Sequence, residues 1–166
     1  PCGEQPLLPF EACVLGRVNL ARFVYRRRAS GAVDARPGID WSGLGAAIRD
    51  GVRFLDNVID ANAYPLEEIR RITLGNRKIG LGVMGWADLL IELELAYDEP
   101  AALALADELA AFVERESVDA SRELAQTRGA FPNFAHSRWQ AAGHRPLRNA
   151  TTTTVHSFTW RAGTLP

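Results

Sequence analysis

The sequence predicts an α/β chain that is rich in helix, and three features indicate this class. Apolar residues recur every three or four positions after Asp40, the spacing of one face of an amphipathic helix. A second and longer helical stretch opens at Pro100 and ends near Gly129. Three short apolar or β-branched stretches alternate with the helical stretches, as in α/β proteins or a helix-rich piece of one.

The predicted strands occupy residues 12–25, 78–85 and 151–155. The first is rich in Val, Leu and aromatic residues and passes into irregular structure, the second is a glycine-interrupted apolar run, and the third is β-branched. Three short strands make a poor sheet by themselves, because exposed edges carry unpaired backbone groups. We therefore expect residues 1–166 to form a single partial domain of a larger fold.

Local signals place the helix ends. Asp40 is predicted to cap the first helix, Pro65 to lie in the first turn of a second helix, and Gly75 to end that helix. A third helix is predicted over residues 86–94. The predicted buried faces of the first and the longest helix consist of Trp41, Leu44, Ile48, Val52, Leu55 and Ile59, and of Leu105, Leu109, Phe112, Ala120 and Leu124.

Composition excludes several functional classes. There are 19 Lys and Arg against 20 Asp and Glu, so the charge balance gives no reason to expect a nucleic-acid or anionic-membrane partner. No apolar stretch approaches the roughly 20 residues that span a bilayer, and the first residues lack a signal-peptide profile. A cytoplasmic location is expected. Two cysteines are too few for a disulfide framework or a four-thiolate zinc site, which leaves buried thiols or redox chemistry.

The strongest candidates for chemistry lie on the loop predicted for residues 1–9, which contains three prolines. A thiol and a carboxylate two residues apart, Cys2 and Glu4, can face the same small cavity from such a loop. The spacing GLGVMG is not a dinucleotide-binding fingerprint and favours close packing of a strand on a helix. Four carboxylates, Asp56, Asp60, Glu67 and Glu68, are expected on helix surfaces or at helix ends, where they are mostly solvated. The histidines His136, His144 and His156 are expected to be surface or packing residues.

The opening PCGEQPLLPFEAC resembles the finger-loop sequence of ribonucleotide reductase catalytic subunits. The similarity is greatest to the adenosylcobalamin-dependent class, in which an Asn precedes the Pro. It continues in order through VNLARFV, FLDNVID, NRKIGLGVMGWADLL, GAFPNF and PLRNATTTT, and so covers nearly the whole chain. The joint match is specific, although GLGVMG or NATTTT alone would be weak.

The resemblance implies a role for three residues. Cys2 matches the cysteine that becomes a thiyl radical and takes the 3′ hydrogen from the substrate ribose. Glu4 matches the carboxylate that accepts the 3′ hydroxyl proton while the 2′ hydroxyl leaves as water. Cys13 matches one of two cysteines that reduce the radical intermediate and end as a disulfide, its partner lying in an N-terminal part outside this chain. Without the resemblance, Cys13 would be interpreted as a small buried hydrophobe in an apolar strand.

The resemblance also implies the surroundings of these residues. The expected fold is a helix-rich fragment of a ten-stranded α/β barrel, with the finger loop threaded into its centre. The expected cofactor is adenosylcobalamin, whose cobalt–carbon bond supplies the first radical and whose binding region lies mostly outside this chain. The expected partners are a ribonucleotide substrate, a thioredoxin-like reductant and the remainder of the reductase chain.

The sequence departs from the family pattern at two places. Val14 and Arg17 stand where the family usually has Asn and Ser. After NATTTTV the family continues into a Pro-Thr-Gly-Thr loop that holds substrate phosphates, whereas this chain reads HSFTWRAGTLP. Residues 156–166 are therefore expected to be a non-homologous tail, produced by a frameshift or an early end of the reading frame.

Two alternatives stay open. The chain is a non-catalytic remnant, an interaction or scaffold protein that retains the helical layer of the fold without its chemistry. Alternatively, it derives from the reductase class whose radical comes from a separate metal subunit. The features that separate the two reductase classes, a cobalamin-binding region or a C-terminal tyrosine relay, lie outside these residues.

Overall fold

The computed structural model describes residues 7–26 and 37–153. The elements in chain order are β1 (Val14–Asn19), a 3-10 turn (Leu20–Phe23), β2 (Val24–Arg26), β3 (Pro37–Ile39), α1 (Trp41–Ala61), α2 (Glu67–Asn76), β4 (Lys78–Met84), α3 (Trp86–Glu92), α4 (Pro100–Arg128), a second 3-10 turn (Phe134–His136), α5 (Arg138–Ala141) and β5 (Ala150–Thr153). The helix-rich α/β class is confirmed.

Three strands form a parallel sheet in the order β1-β4-β5. The register pairs Val14 with Ile79 and Lys78 with Ala150, so the amino ends of the three strands lie side by side. These are the three predicted strands; the short strands β2 and β3, which were not predicted, form a separate antiparallel pair. Within residues 7–26 and 37–153, β1 and β5 each pair on one side only, which leaves both sheet edges open to further strands.

Helix α1 packs on β1 and β4 and against α4, and its apolar face forms the centre of the core. Leu44, Ile48, Val52 and Ile59 are completely buried, as their spacing predicted. On α4, Leu109 and Ala120 are buried, and the other predicted apolar residues pack against the core while partly exposed. The ring of Trp41 lies 4.8 Å from that of Phe112, centroid to centroid, where α1 and α4 meet.

Several predicted helix ends are confirmed. The Asp40 carboxylate accepts a hydrogen bond of 2.9 Å from the backbone N–H of Gly43, so Asp40 caps α1. Pro100 occupies the first turn of α4, and Gly129, with a positive φ of 81°, ends that helix.

Three predicted helix ends are wrong. Helix α2 begins at Glu67, so Pro65 precedes the helix rather than lying in its first turn. Gly75 lies inside α2, and Arg77 ends that helix in a left-handed conformation with φ 46°. An arginine adopts this conformation because its side chain is held by two carboxylates of α1, Asp56 and Asp60. Helix α3 ends at Glu92, two residues before the predicted end at residue 94.

A second, smaller apolar cluster holds the segment that leads into β5. Phe131, Phe134 and Leu147 are buried there with Val118 of α4. The Phe131 N–H donates to the Leu147 carbonyl at 2.9 Å, which ties the two segments together. Within the part of the chain that the structure describes, no helix has the length and apolar character to span a membrane.

Candidate active-site region

Cys2 and Glu4 lie outside the described residues, so their convergence on one cavity stays a prediction. The described chain begins at Leu7, and the loop that follows these two residues is fixed in place. The backbone N–H of Glu11 donates to the Leu8 carbonyl at 3.0 Å, closing a turn in which Phe10 has a φ of 63°. This turn connects the preceding residues, which include Cys2 and Glu4, to Cys13 and β1.

Cys13 directly precedes β1, at the amino edge of the parallel sheet, and is a free thiol. It is partly buried and lies just before the strand rather than inside it. Its Sγ lies 3.6 Å from the Val14 carbonyl oxygen. Burial raises the pKa of the Cys13 thiol to about 11, with Lys78 acting to lower this pKa and Glu11 to raise it.

Glu11 is the charged residue that sequence reasoning missed, although it lies inside the recognised motif PFEAC. Its carboxylate is completely buried and accepts three hydrogen bonds: from the Leu8 N–H at 2.8 Å, the Asn76 amide at 2.5 Å and the Lys78 ammonium at 2.7 Å. Burial disfavours the charged form, but these donors outweigh it and hold the pKa of Glu11 below its ordinary value. The loop is thereby tied to the end of α2 and the start of β4.

A second bond strengthens this attachment. The backbone N–H of Ala12 donates to the Thr73 hydroxyl of α2 at 3.3 Å, and Thr73 is almost completely buried. Helix α2 therefore holds residues 11 and 12 from one side, while the pairing of Val14 with Ile79 holds the start of β1 from the other. Cys13 lies between these two fixed points, so its backbone position follows from both.

Asp56 does not lie on a solvated helix surface, and the prediction that it would is wrong. Its side chain is completely buried and takes part in an ion cluster at the base of the sheet. The carboxylate accepts hydrogen bonds from Arg77 at 2.7 Å, from Arg128 at 2.7 Å and from the Asn149 amide at 2.6 Å. Opposite charges in direct contact make the burial possible, because an unpaired carboxylate would not remain ionised there.

Asp60 and Arg148 complete a group that we call the Asp56 cluster. Its members are Asp56, Asp60, Arg77, Arg128, Arg148 and Asn149. Asp60, one turn along α1, is half-exposed and binds Arg77 at 2.7 Å, and Arg148 Nε lies 3.3 Å from Asp56. Burial opposes ionisation of Asp56, but Arg77, Asn149 and Arg128 outweigh it and lower the pKa of this carboxyl. The cluster joins α1, the start of β4, the end of α4 and the start of β5.

The remaining polar candidates occupy the expected surroundings. Glu67 and Glu68 are exposed at the first turn of α2. His136 is exposed, and His144 packs its ring edge-on against Trp139 at 5.0 Å. His156 lies outside the described residues. In residues 7–26 and 37–153 no three His, Cys, Asp or Glu side chains are grouped so as to hold a metal ion.

Two glycines of GLGVMG, Gly80 and Gly85, make close contacts, but with β1 and with Asn19 rather than between a strand and a helix as predicted. A Cβ on Gly80 would lie 2.5 Å from Leu15 Cδ2, so the side chain of β1 crosses β4 at that glycine. Gly85 precedes α3 with a φ of 73°, and a Cβ there would collide with the Asn19 side chain oxygen. That oxygen already accepts the Ala21 N–H at 3.2 Å and caps the 3-10 turn. Gly85 therefore combines a left-handed conformation with a steric restriction.

Replacing Gly85 with alanine is expected to lower the free energy of unfolding by about 1–3 kcal/mol, through left-handed strain and displacement of Asn19. Urea denaturation of the purified chain would measure it. Gly143→Ala is the matched control, because Gly143 also has a positive φ of 77° but nothing lies within 4 Å of its Cβ position. Equal losses for the two variants would show that the contact with Asn19 contributes nothing.

The amino-acid sequence is similar to those of ribonucleotide reductases. The family model described as "Ribonucleotide reductase, barrel domain" matches residues 1–161. A protein of Thermoplasma acidophilum named vitamin B12-dependent ribonucleoside-diphosphate reductase is 46% identical over 155 residues, which cover 93% of this chain and 19% of that protein. A protein of the same name from Mycobacterium tuberculosis H37Rv is also 46% identical over 155 residues, covering 93% of this chain and 20% of that protein.

More distant similarity reaches reductases whose names do not mention vitamin B12. The ribonucleoside-diphosphate reductase subunit alpha of Chlamydia pneumoniae is 34% identical over 135 residues, which cover 81% of this chain and 12% of that protein. The chain thus spans about a fifth of the length of the two relatives named above, and less of this one.

Proposed function

Because this chain belongs to the ribonucleotide reductase barrel-domain family, we propose that it carries part of the active site of an enzyme that reduces ribonucleotides to 2′-deoxyribonucleotides. The observation that carries the proposal is the family match over residues 1–161, which includes Cys2, Glu4 and Cys13 in order. The chain by itself is expected to be inactive, since the relatives are several times longer.

In the proposed reaction, Cys2 acts first, as a sulfur radical that removes the 3′ hydrogen atom of the ribose. Sulfur suits this step because S–H and ribose C–H bonds are similar in strength, so the abstraction is reversible and Cys2 recovers its hydrogen at the end. Glu4 accepts the 3′ hydroxyl proton while the 2′ hydroxyl leaves as water, a general-base role that requires hydrogen-bond reach.

Cys13 would supply half of the reducing equivalents. Replacement of the 2′ hydroxyl by hydrogen needs two electrons and two protons, and two thiols provide them as they join in a disulfide. The second thiol is expected from the remainder of the reductase chain, and a thioredoxin-like dithiol would then reduce the disulfide. The position of Cys13 at the amino edge of the sheet, half-buried and directly after the anchored loop, supports this role.

We assign the radical source to adenosylcobalamin, which supplies the first radical when its cobalt–carbon bond breaks. The support is comparative: the two relatives with vitamin B12 in their names are 46% identical to this chain, against 34% for the Chlamydia pneumoniae subunit. We assign no side chain of residues 7–26 or 37–153 to the binding of this cofactor.

The test is a graft of residues 1–153 into the full-length Thermoplasma acidophilum reductase in place of its matching segment. We expect deoxyribonucleoside diphosphate formation, dependent on added adenosylcobalamin and a dithiol, within about tenfold of the parent enzyme. The comparison with the parent measures the cost of the graft, and urea denaturation shows whether the graft is folded. A folded graft without turnover would favour the scaffold alternative and contradict the proposal.

A further inference from the structure

The ion pair between Glu11 and Lys78 is built more rigidly than an ordinary surface pair. The Glu11 side chain is completely buried, the Lys78 side chain is 19% exposed, and their charged atoms lie 2.7 Å apart. Asn76 and the Leu8 N–H fill further acceptor positions of the same carboxylate. A buried pair with this many hydrogen bonds holds its two charges at fixed positions, whereas exposed pairs exchange freely with water.

Both charges act on the sulfur of Cys13. Glu11 precedes Cys13 by two residues, and the parallel register places Lys78 beside the start of β1, next to the Val14–Ile79 pair. Among the described residues, Glu11 and Lys78 are the charged groups that influence this thiol, with opposite signs. The carboxylate disfavours a thiolate and the ammonium favours it, so the two charges act on the sulfur in opposite directions.

We propose that Glu11 and Lys78 are the positioning pair of Cys13: they fix its backbone at the amino edge of the sheet and offset each other's charge beside its sulfur, so that burial keeps it a neutral thiol. This inference rests on the proposed function, in which each reducing thiol must deliver a proton as well as an electron. A resting thiolate would lack that proton and would also react readily with oxidants. The pair therefore acts through Cys13 and touches no reacting atom itself.

Removing the charge of Glu11 and removing the charge of Lys78 are expected to change the reactivity of Cys13 in opposite directions. Glu11→Gln keeps the size and the carbonyl acceptor but leaves the ammonium unbalanced, which favours the thiolate. Lys78→Gln leaves the carboxylate unbalanced, which disfavours it. Only the thiolate is nucleophilic, so the rate of alkylation at a pH below the pKa follows the thiolate fraction. A thiol whose pKa falls by one is therefore alkylated about tenfold faster at the same pH.

The experiment measures alkylation of Cys13 by iodoacetamide between pH 7 and 10 in the folded 166-residue chain, with peptide mass analysis separating Cys13 from Cys2. We expect alkylation about 3- to 10-fold faster in Glu11→Gln and about 3- to 10-fold slower in Lys78→Gln. The double variant, which restores neutrality without either charge, is expected to return to within about twofold of the original chain. Lys78→Arg, which keeps the cation, is expected to preserve the original pH profile.

A purely structural role gives a different result, because loosening the loop would expose Cys13 in both single variants and at least as much in the double variant. Acceleration in all three would overturn the proposal, and so would unchanged rates. Asp119→Asn is the control, since it removes one half of a partly exposed ion pair with Arg122 on α4 and should leave the rate unaltered. If Lys78→Gln alone does not fold, the double variant decides the outcome, because a loosened loop would accelerate alkylation there whereas removal of both charges would not.

Failure here is distinguishable from failure of the proposed function. Alkylation needs no substrate, cofactor or turnover, so an inactive graft with opposite effects of the two variants would leave this inference standing. An active graft in which both variants accelerate alkylation would remove the inference and leave the function intact.

Discussion

Replacing Asp56 with asparagine is expected to lower the free energy of unfolding by about 3–5 kcal/mol, the usual loss when one partner of a buried ion pair is removed. The substitution preserves the shape of the side chain but leaves Arg77, which is 3% exposed, without its buried counter-charge. Arg128 and Arg148 lose the same partner. Urea denaturation of the purified chain at pH 7 measures the difference.

Asp60→Asn provides the matched control, because Asp60 lies one turn along the same helix and binds the same Arg77 but is half-exposed. We expect a smaller loss than for Asp56→Asn, because Asp60 is half-exposed to water and the buried Asp56 still balances the charge of Arg77. Similar losses in the free energy of unfolding for the two variants would show that burial of Asp56 does not determine the size of the loss.

The dependence on pH follows from the direction of the pKa shift. The pKa of Asp56 is lower in the folded protein than its ordinary value of 3.8. The ionised carboxylate therefore stabilises the fold above that value, and the contribution is lost as the pH falls through the folded pKa. The difference between Asp56→Asn and the original chain should accordingly shrink when unfolding is measured below about pH 4 rather than at pH 7.

Replacing Cys2 with serine is expected to abolish turnover of the grafted reductase, by at least about 1000-fold, which corresponds to roughly 4 kcal/mol of activation free energy. The serine O–H bond is much stronger than a ribose C–H bond, so an oxygen radical would not form at this position. The hydroxyl is nearly as large as the thiol, and the folded structure should tolerate it. The measurement is the rate of deoxyribonucleoside diphosphate formation with adenosylcobalamin and a dithiol.

The urea midpoint of the Cys2→Ser graft should match that of the unsubstituted graft, which separates lost chemistry from lost structure. Turnover above a tenth of the unsubstituted rate would contradict the role assigned to Cys2. A Cys13→Ser graft is a second comparison, because it removes a reducing thiol while leaving the first hydrogen abstraction possible.

Sequence periodicity was sufficient to predict the helices that build the core. Each of α1 and α4 combines a regular apolar spacing with a terminal signal, Asp40 in one and Pro100 with Gly129 in the other. The three strands of the parallel sheet were predicted from short apolar or β-branched runs. Their order, with β4 between β1 and β5, depends on contacts between distant residues that local patterns do not contain.

The Asp56 cluster was missed because charged residues were assumed to be solvated. A signal was present: Asp56 follows Val52 by four residues and precedes Ile59 by three, so it falls within the apolar face of α1. A carboxylate at such a position needs a buried partner, and its partners follow 21, 72 and 92 residues later. Nothing local identifies Arg77, Arg128 and Arg148 as those partners.

The roles proposed for Cys2, Glu4 and Cys13 come from the family resemblance rather than from a physical pattern. Local reasoning alone placed Cys13 inside an apolar strand, whereas the residue lies at the strand's start beside an ion pair. Glu11 carries no helical or strand periodicity that would predict its burial, and its partners Asn76 and Lys78 are 65 and 67 residues away. Cys2 and Glu4 stay predictions.

The long sequence separations within the Asp56 cluster order the events of biosynthesis. Asn149 follows Asp56 by 93 residues, so at about 5–20 residues per second a ribosome needs several seconds to complete the cluster after α1 has been made. Until then the carboxylate keeps part of its hydration shell or binds the partners made earlier, Arg77 and Arg128. The complete set of partners that buries Asp56 therefore forms only after residues 148 and 149 have been synthesised.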